Sequence, residues 1–324
     1  MKTRKTTLLL STIFVLILGS PSAFAGLFDL FTKNNESDLA KTKYPLVIVG
    51  GAIINFEALG PIDYHYNIPQ TLEKNGAENV FVTSISGAES NEARGEQLAR
   101  LVEDILVITD TEKVNLMAIS MGGPTSRYVA SVYPEMVASV SSTVGGHQGI
   151  PLADWIVSGE ETMPLINNLL YKVGNFGIGL ISWLAGESLP TDTKAMAYSE
   201  TTKGSQEFNA LYPEGAPTSD CGDGPEQASN GVYYYSMAGA KPFTNIFDPT
   251  DYILYALHKL FFKKGETSDG VIGSCSSHWG KVIRDDYLMN HMDTANHLFG
   301  LTHRRFSPLD LYVQQANRLK NKGL

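Results

Sequence analysis

Residues 114–128 read VNLMAISMGGPTSRY. Val114 to Ala118 is an apolar run of the length and kind of a short buried strand. The run stops at Ser120, Gly122-Gly123 follow at once, and from Pro124 onward Tyr128, Val129 and Val132 fall at helical spacing. A strand, a tight turn with a serine at its tip and then a helix form the arrangement that lifts a nucleophilic serine clear of a sheet. So sharp a turn brings the side chains two before and two after the serine together, and both must be small. Here they are Ala118 and Gly122, giving A-x-S-x-G. The competing reading is a serine that only caps a helix after a core strand.

Working outward, the flanking sequence repeats the same alternation. Tyr44 to Val49 is an apolar strand rich in β-branched residues running into Gly50-Gly51, and Val80 to Ile85 and Val137 to Val144 read as further strands. Between them, Ile68 to Asn75 reads as a short helix. Asn91 to Ile108 is amphipathic, with Leu98, Leu101, Val102 and Ile105 on one side and Glu92, Arg94, Glu96 and Arg100 off it. Strands alternating with helices over this length predict βαβ units and a mostly parallel central sheet flanked by helices, an α/β fold. Beyond Gly145 the pattern changes. Ile150 to Ile181 carries apolar residues at helical spacing, interrupted by glycines, and reads either as core helices or as a cap over an apolar site. Val232 to Met237 reads as a strand, the stretch after Asp248-Pro249 as a helix, and Leu309 to Leu319 as a C-terminal helix.

The chain has 324 residues, 43% hydrophobic and 18% charged, which suits one large globular domain. Lys2, Arg4 and Lys5, then the apolar run Leu8 to Leu18, then Ala23-Phe24-Ala25 have the form of a secretory signal peptide over residues 1–25. The expected mature domain is 26–324, exported, with an N-terminal arm over Gly26 to Lys43. Removing the leader takes the formal charge from −9 to −12. That balance argues against nucleic acid as a partner and against charge-driven binding to anionic lipid. The two cysteines, Cys221 and Cys275, most simply form one disulfide in an exported chain, with two free buried thiols as the alternative.

A serine hydroxyl needs a histidine to take its proton and a carboxylate to hold the imidazole in the right tautomer. In this chain order the acid and then the histidine follow the serine. Of the seven histidines at 65, 147, 258, 278, 291, 297 and 303, His291 is the best placed, in a polar loop over Arg284 to Asp293 that follows the last strand-like segment. His278 is a rival, and His147, in a glycine turn after the Val137 strand, also has a claim. Asp269, in Ser268-Asp269-Gly270, fits the order for the acid, with Asp248 and Asp251 as alternatives. The developing oxyanion needs backbone N–H donors. Met121, next to the serine, and Ala52, in the glycine turn after the first strand, are the expected pair.

Many pieces in one order carry a resemblance over essentially the whole mature chain. They include Arg94-Gly95-Glu96-Gln97-Leu98, Gly122-Gly123-Pro124-Thr125, Arg127-Tyr128-Val129-Ala130, Phe208-Asn209-Ala210, Cys275-Ser276-Ser277-His278, Met289-Asn290-His291 and Ala316-Asn317-Arg318-Leu319-Lys320. The sequence resembles the secreted bacterial triacylglycerol lipases of the Pseudomonas and Burkholderia type, which have the α/β-hydrolase fold. The resemblance implies Ser120 as nucleophile, Asp269 as acid, His291 as base, Ala52 and Met121 at the oxyanion hole, and a Cys221–Cys275 disulfide. It implies a helical lid over about 151–189. It also implies one calcium ion, held by the carboxylates of Asp248 and Asp293 and the carbonyl of Leu301, pinning the loop that carries His291. Hard oxygen ligands suit calcium. Members often need a membrane-anchored, lipase-specific foldase and leave the cell by way of the periplasm.

Three positions depart from the family pattern. Gly50-Gly51 stands where a His-Gly pair is usual, Ile119 precedes the serine in place of histidine, and His297 stands where the calcium shell has glutamine. The expected function is hydrolysis of fatty-acyl glycerides through an acyl-enzyme, with a lipid ester at an oil–water interface as substrate. The alternatives are an esterase for short or polymeric esters and a lipase-like lipid-binding protein with little turnover.

Overall fold

A computed structural model describes residues 37–52, 58–59, 62–162, 172, 175, 189–219 and 221–324. The expected leader, the first residues of the arm and most of the expected lid beyond residue 162 lie outside them. The first strand, β1 (Leu46–Val49), is followed by a small antiparallel pair, β2 (Ala58–Leu59) with β3 (Ile62–Asp63). Then come α1 (Ile68–Lys74), β4 (Val80–Val82), α2 (Asn91–Thr109), β5 (Val114–Ile119), α3 (Gly122–Val132) and β6 (Val137–Thr143). The second half holds α4 (Pro151–Thr162), α5 (Thr193–Ser199), α6 (Thr202–Leu211), β7 (Tyr233–Gly239), α7 (Pro249–Phe261), β8 (Lys281–Tyr287) and α8 (Pro308–Asn321).

Six of the strands form one sheet in the order β4-β1-β5-β6-β7-β8. Every neighbouring pair is parallel, as the alternation of elements predicts. The apolar runs follow from burial on both faces. Val47 and Val49 of β1 and Leu116 and Ala118 of β5 pack with Leu98, Val102 and Val129 from α2 and α3. Leu46, Ile48, Met117 and Ile119 point the other way, onto Ile68 and Leu72 of α1 and Leu311 and Ala316 of α8. Alternate residues of one strand therefore serve two cores, and neither face tolerates a polar side chain without a partner.

Four readings from sequence need correction. Residues 284–287, read as part of a polar loop, belong to β8. That strand lies at the edge of the sheet and its side chains are mostly half-buried or exposed, so it lacks the apolar run of a central strand. The helices α5 and α6 have no counterpart in the sequence reading. They are short and largely polar, and their starts are set by caps: Asp192 accepts from Lys194 and Ala195, and Thr201 accepts from Gly204. Arg94, placed on the solvent side of α2, is fully buried. The strand read over Val80 to Ile85 ends at Val82.

Candidate active site

Chain segments leaving the carboxyl ends of the parallel strands converge on Ser120, the side of an open α/β sheet where ligands bind. Ser120 follows β5 directly and has φ 54°, in the left-handed region. Its N–H donates to the Thr143 carbonyl at 3.0 Å, and its carbonyl accepts from Gly123 N at 2.8 Å. A non-glycine residue held in that conformation is strained, and such strain persists where surrounding structure fixes it. The turn closes against β1. A Cβ on Gly122 would lie 2.4 Å from the Val49 carbonyl oxygen, and one on Gly51 would lie 2.9 Å from Ser120 Cβ. Gly122 is therefore required less by Ala118 than by the end of the neighbouring strand.

The structure brings the three expected side chains into one chain of contacts. His291 Nε2 lies 3.0 Å from Ser120 Oγ, and His291 Nδ1 lies 2.7 Å from Asp269 Oδ2. Asp269 is fully buried, and its Oδ1 accepts from the N–H groups of Val271 and Ile272 at 2.8 and 2.7 Å. The His291 N–H also donates to the Asp269 carbonyl at 2.9 Å. Both carboxylate oxygens and the backbone of Asp269 thus fix the imidazole.

The rival residues have other partners. His147 is buried, with Nε2 2.9 Å from Ser142 Oγ and Nδ1 beside Arg127. His278 lies against the Gly222 carbonyl and Asp285. Cys221 and Cys275 are joined as a disulfide. Asp251 accepts from Thr244 N, Asn245 N and Asn290 Nδ2. It ties together loops near His291 without touching the ring.

Met121 is buried as the N-cap residue of α3, where backbone N–H groups have no intrahelical acceptor. Ala52 lines the same cavity as Ser120. The turn carrying Gly50 and Gly51 is held from below by Arg94. Its guanidinium donates to the Gly50 carbonyl at 2.8 Å, the Gly51 carbonyl at 3.0 Å, the Ser86 carbonyl at 2.7 Å and Thr125 Oγ1 at 3.1 Å. Burial lowers the pKa of this arginine to about 10. Amphipathic patterning hides such a residue, because a cation in a helix normally marks the solvent face.

A cavity of about 390 Å³ opens on Ser120 and His291. Its walls are mostly carbon, from Ile150, Leu152, Ala153 and Ile156 at the start of α4, Met196 and Ala197 of α5, and Val271. Ile119, where the family has histidine, is 4% exposed; it packs into the core beneath the serine and also borders the cavity.

Two of the expected calcium ligands, Asp248 and Asp293, lie near one another beside the histidine loop. Asp248 and Asp293 are both fully buried, and Asp248 Oδ2 and Asp293 Oδ1 have no hydrogen-bond partner among the described residues. Burial, with the nearby carboxylates of Asp251 and Asp248 adding to it, pushes the Asp293 carboxyl up to about 7. Buried carboxylates with bare oxygens and like-charged neighbours fit a hard divalent cation. His297 Nε2 lies 3.5 Å from Asp248 Oδ2, while its Nδ1 is 2.7 Å from the Met292 carbonyl. Leu301 follows the tight turn His297–Gly300, in which Leu298 and Phe299 have positive φ.

Comparison with known proteins agrees with this fold. Residues 44–177 match the family model described as alpha/beta hydrolase fold. A triacylglycerol lipase of Vibrio cholerae is 44% identical over 293 residues, covering 90% of this chain and 92% of that protein. One from Pseudomonas fragi is 36% identical, covering 89% and 99%, and one from Burkholderia plantarii is 31% identical, covering 88% of each. Among solved structures, lipase 1 from Pelosinus fermentans shares the fold with a TM-score of 0.57 at 16% identity, over 86% of this chain and 99% of that one.

Proposed function

The chain belongs to the bacterial triacylglycerol lipases of the Pseudomonas and Burkholderia type and is a carboxylic ester hydrolase of the α/β-hydrolase fold, and on that footing we propose that Ser120 is its nucleophile, His291 its general base and Asp269 the acid that orients the imidazole. The observation that carries this reading is the continuous relay from Ser120 Oγ through His291 to Asp269, at 3.0 and 2.7 Å.

The chemistry follows from those contacts. Ser120 Oγ attacks the ester carbonyl carbon as its proton passes to His291 Nε2. The imidazolium that forms is stabilised by Asp269, which stays ionised. Negative charge on the former carbonyl oxygen is met by the N–H groups of Met121 and Ala52. When the tetrahedral species collapses, the ester C–O bond breaks, and His291 returns its proton to the leaving alcohol. This leaves an acyl group on Ser120. Water then gives a proton to His291 and attacks the acyl carbon, and release of the fatty acid restores Ser120 O–H.

Fatty-acyl glycerides are the favoured substrates, because a carbon-lined cavity beside the serine suits hydrocarbon chains. The segment of about 151–189 acts as the lid; α4, its first helix, already contributes cavity wall. Asp248, Asp293 and the Leu301 carbonyl, with His297 alongside, would hold a calcium ion, whose charge would offset that of the buried carboxylates and fix the His291 loop. The leader pattern at residues 1–25 and the disulfide favour export through the periplasm. A lipase-specific foldase is a partner suggested by the family alone.

The test is Ser120→Ala. Hydrolysis of p-nitrophenyl esters should be lost with the thermal transition unchanged, and a fluorophosphonate should label Ser120 in the wild-type chain. Retained turnover in the variant would sink the assignment.

A further inference from the structure

Apart from Ser120, His291 and the Tyr64 phenol, the described lining of the cavity beside Ser120 carries one polar side chain, the carboxyl of Glu200. Glu200 sits at the corner between α5 and α6, and the corner is pinned to the start of α4 by Ile150 N donating to the Glu200 carbonyl at 2.8 Å. The residue is 7% exposed and borders the same cavity as Ser120 and His291. The Asn91 side chain hydrogen-bonds the carboxyl, while Oε1 has no hydrogen-bond partner among the described residues.

Pairing with Arg94 does not account for this carboxyl. The four hydrogen bonds of that guanidinium go to Gly50, Gly51, Ser86 and Thr125. Its charge is felt at Glu200, as is that of His291, but burial outweighs both and raises the carboxyl to about 7. A bare, buried oxygen is costly to keep. It becomes favourable once a ligand brings a donor to it.

The surroundings narrow the ligand. A cationic group would approach Arg94 and His291, and an anionic group would approach Glu200 itself. A neutral hydroxyl meets neither obstacle. It also suits either state of a carboxyl, since it both donates and accepts. The carbon walls from Ile150, Ala153, Met196 and Val271 leave Glu200 as the polar contact on that side.

We propose that Glu200 is a specificity-determining residue that receives a hydroxyl group carried on the acyl or the alcohol arm of the ester. The inference rests on the hydrolase reading above and narrows it, from acyl esters in general to esters bearing a hydroxyl. A site that hydrogen-bonds a substrate hydroxyl rejects the analogue lacking it, because the protein group is then left buried and unpaired.

Two matched pairs of substrates test it, and they separate the two sources of the hydroxyl. One pair is the methyl ester of a fatty acid with and without a hydroxyl, the hydroxyl being walked along the chain. The other is a monoacylglycerol against the ethyl ester of the same acid. The ratio of kcat/KM within a pair is read, so differences in the amount of folded enzyme cancel. The wild-type chain should favour the hydroxylated member of at least one pair by on the order of ten-fold. Glu200→Leu should abolish or reverse that preference, with Glu200→Ala as the second apolar variant should leucine prevent folding, while Glu200→Gln should retain part of it. Equal rates within both pairs in the wild type, or a preference that survives in the apolar variants, would overturn the proposal and leave the hydrolase reading standing. No turnover of any of these esters would bring down both.

Discussion

Gly122 meets Val49 so closely that a Cβ on the glycine would stand 2.4 Å from the Val49 carbonyl oxygen, and 2.9 Å from that of Gly50. The serine turn is thus seated on the end of β1, which leads directly into the turn that carries Ala52. The turns proposed to carry the nucleophile and an oxyanion donor are a single packed unit. Gly122→Ala must push them apart, since the atoms in the way are backbone and cannot rotate aside. The expected cost in stability is about 1–3 kcal/mol. The expected loss in kcat is larger than that implies, because a displacement of a fraction of an ångström shifts Ser120 relative to its donors. Denaturant unfolding and steady-state kinetics on the same preparation check both. A variant with wild-type kcat would show that the two turns are not mechanically joined.

Arg94 holds that unit from the other side. Removing it in Arg94→Met takes away four hydrogen bonds, three of them to backbone carbonyls of segments near the site, and leaves those carbonyls unpaired. Arg94→Lys restores the charge but not the fork, since an ammonium cannot reach several carbonyls in one plane. Both variants should lose roughly 2–4 kcal/mol of stability. In the folded fraction, kcat should fall more than KM rises if this turn carries the proposed oxyanion donor, which acts on the transition state. Equal effects on kcat and KM in a fully folded sample would make Arg94 a structural residue only.

The sheet was legible in the sequence wherever strands are buried on both faces, because such strands must be apolar throughout. Val114 to Ile119 and Leu46 to Val49 show it. The edge strand β8 was not, since exposed residues such as Arg284 and Asp286 read as loop. The serine turn could be found because its constraint is local and steric. Asp269 and His291 could be ranked by chain order, but their contact links residues far apart in sequence, and only the fold brings them together. Arg94 and Glu200 escaped as buried charges. Their burial depends on the close approach of β1, α2 and the α5–α6 corner, which no periodicity encodes. Ile119, which departs from the family pattern, is explained by the core it packs into and the cavity it borders.

The proposed binding of calcium by the Asp248 and Asp293 carboxylates predicts a stability linked to the free ion. At a hundredfold excess over Kd the ion contributes about 2.7 kcal/mol, on the order of 5 °C in Tm for a chain of this size. A chelator should lower Tm by that amount and added calcium should restore it. In Asp293→Asn and Asp248→Asn the chelator should have little further effect. Thermal unfolding by circular dichroism reads this without recourse to activity. An identical Tm for the wild-type chain with and without chelator would exclude the site.

Glu200 gives a pH dependence of opposite sign to that of an ordinary paired carboxylate. Its ordinary value is 4.5 and burial holds it at about 7 in the folded chain, against the opposing influence of Arg94, Asn91 and His291. Between those values the folded state keeps a proton that the unfolded state has lost. Stability contributed by this group therefore falls as pH rises from 4.5 through 7, and the cost persists above, about 3 kcal/mol in full. Glutamine has no proton to lose and closely matches the shape. Glu200→Gln should gain on the wild type as pH is raised from 5 to 8, by up to that amount, while the two lie closer together at pH 5. Urea unfolding of both proteins across this range measures the difference directly. A gap that does not widen with pH would mean that Glu200 is already ionised in the folded chain at pH 5, and that its charge is met by the protein itself.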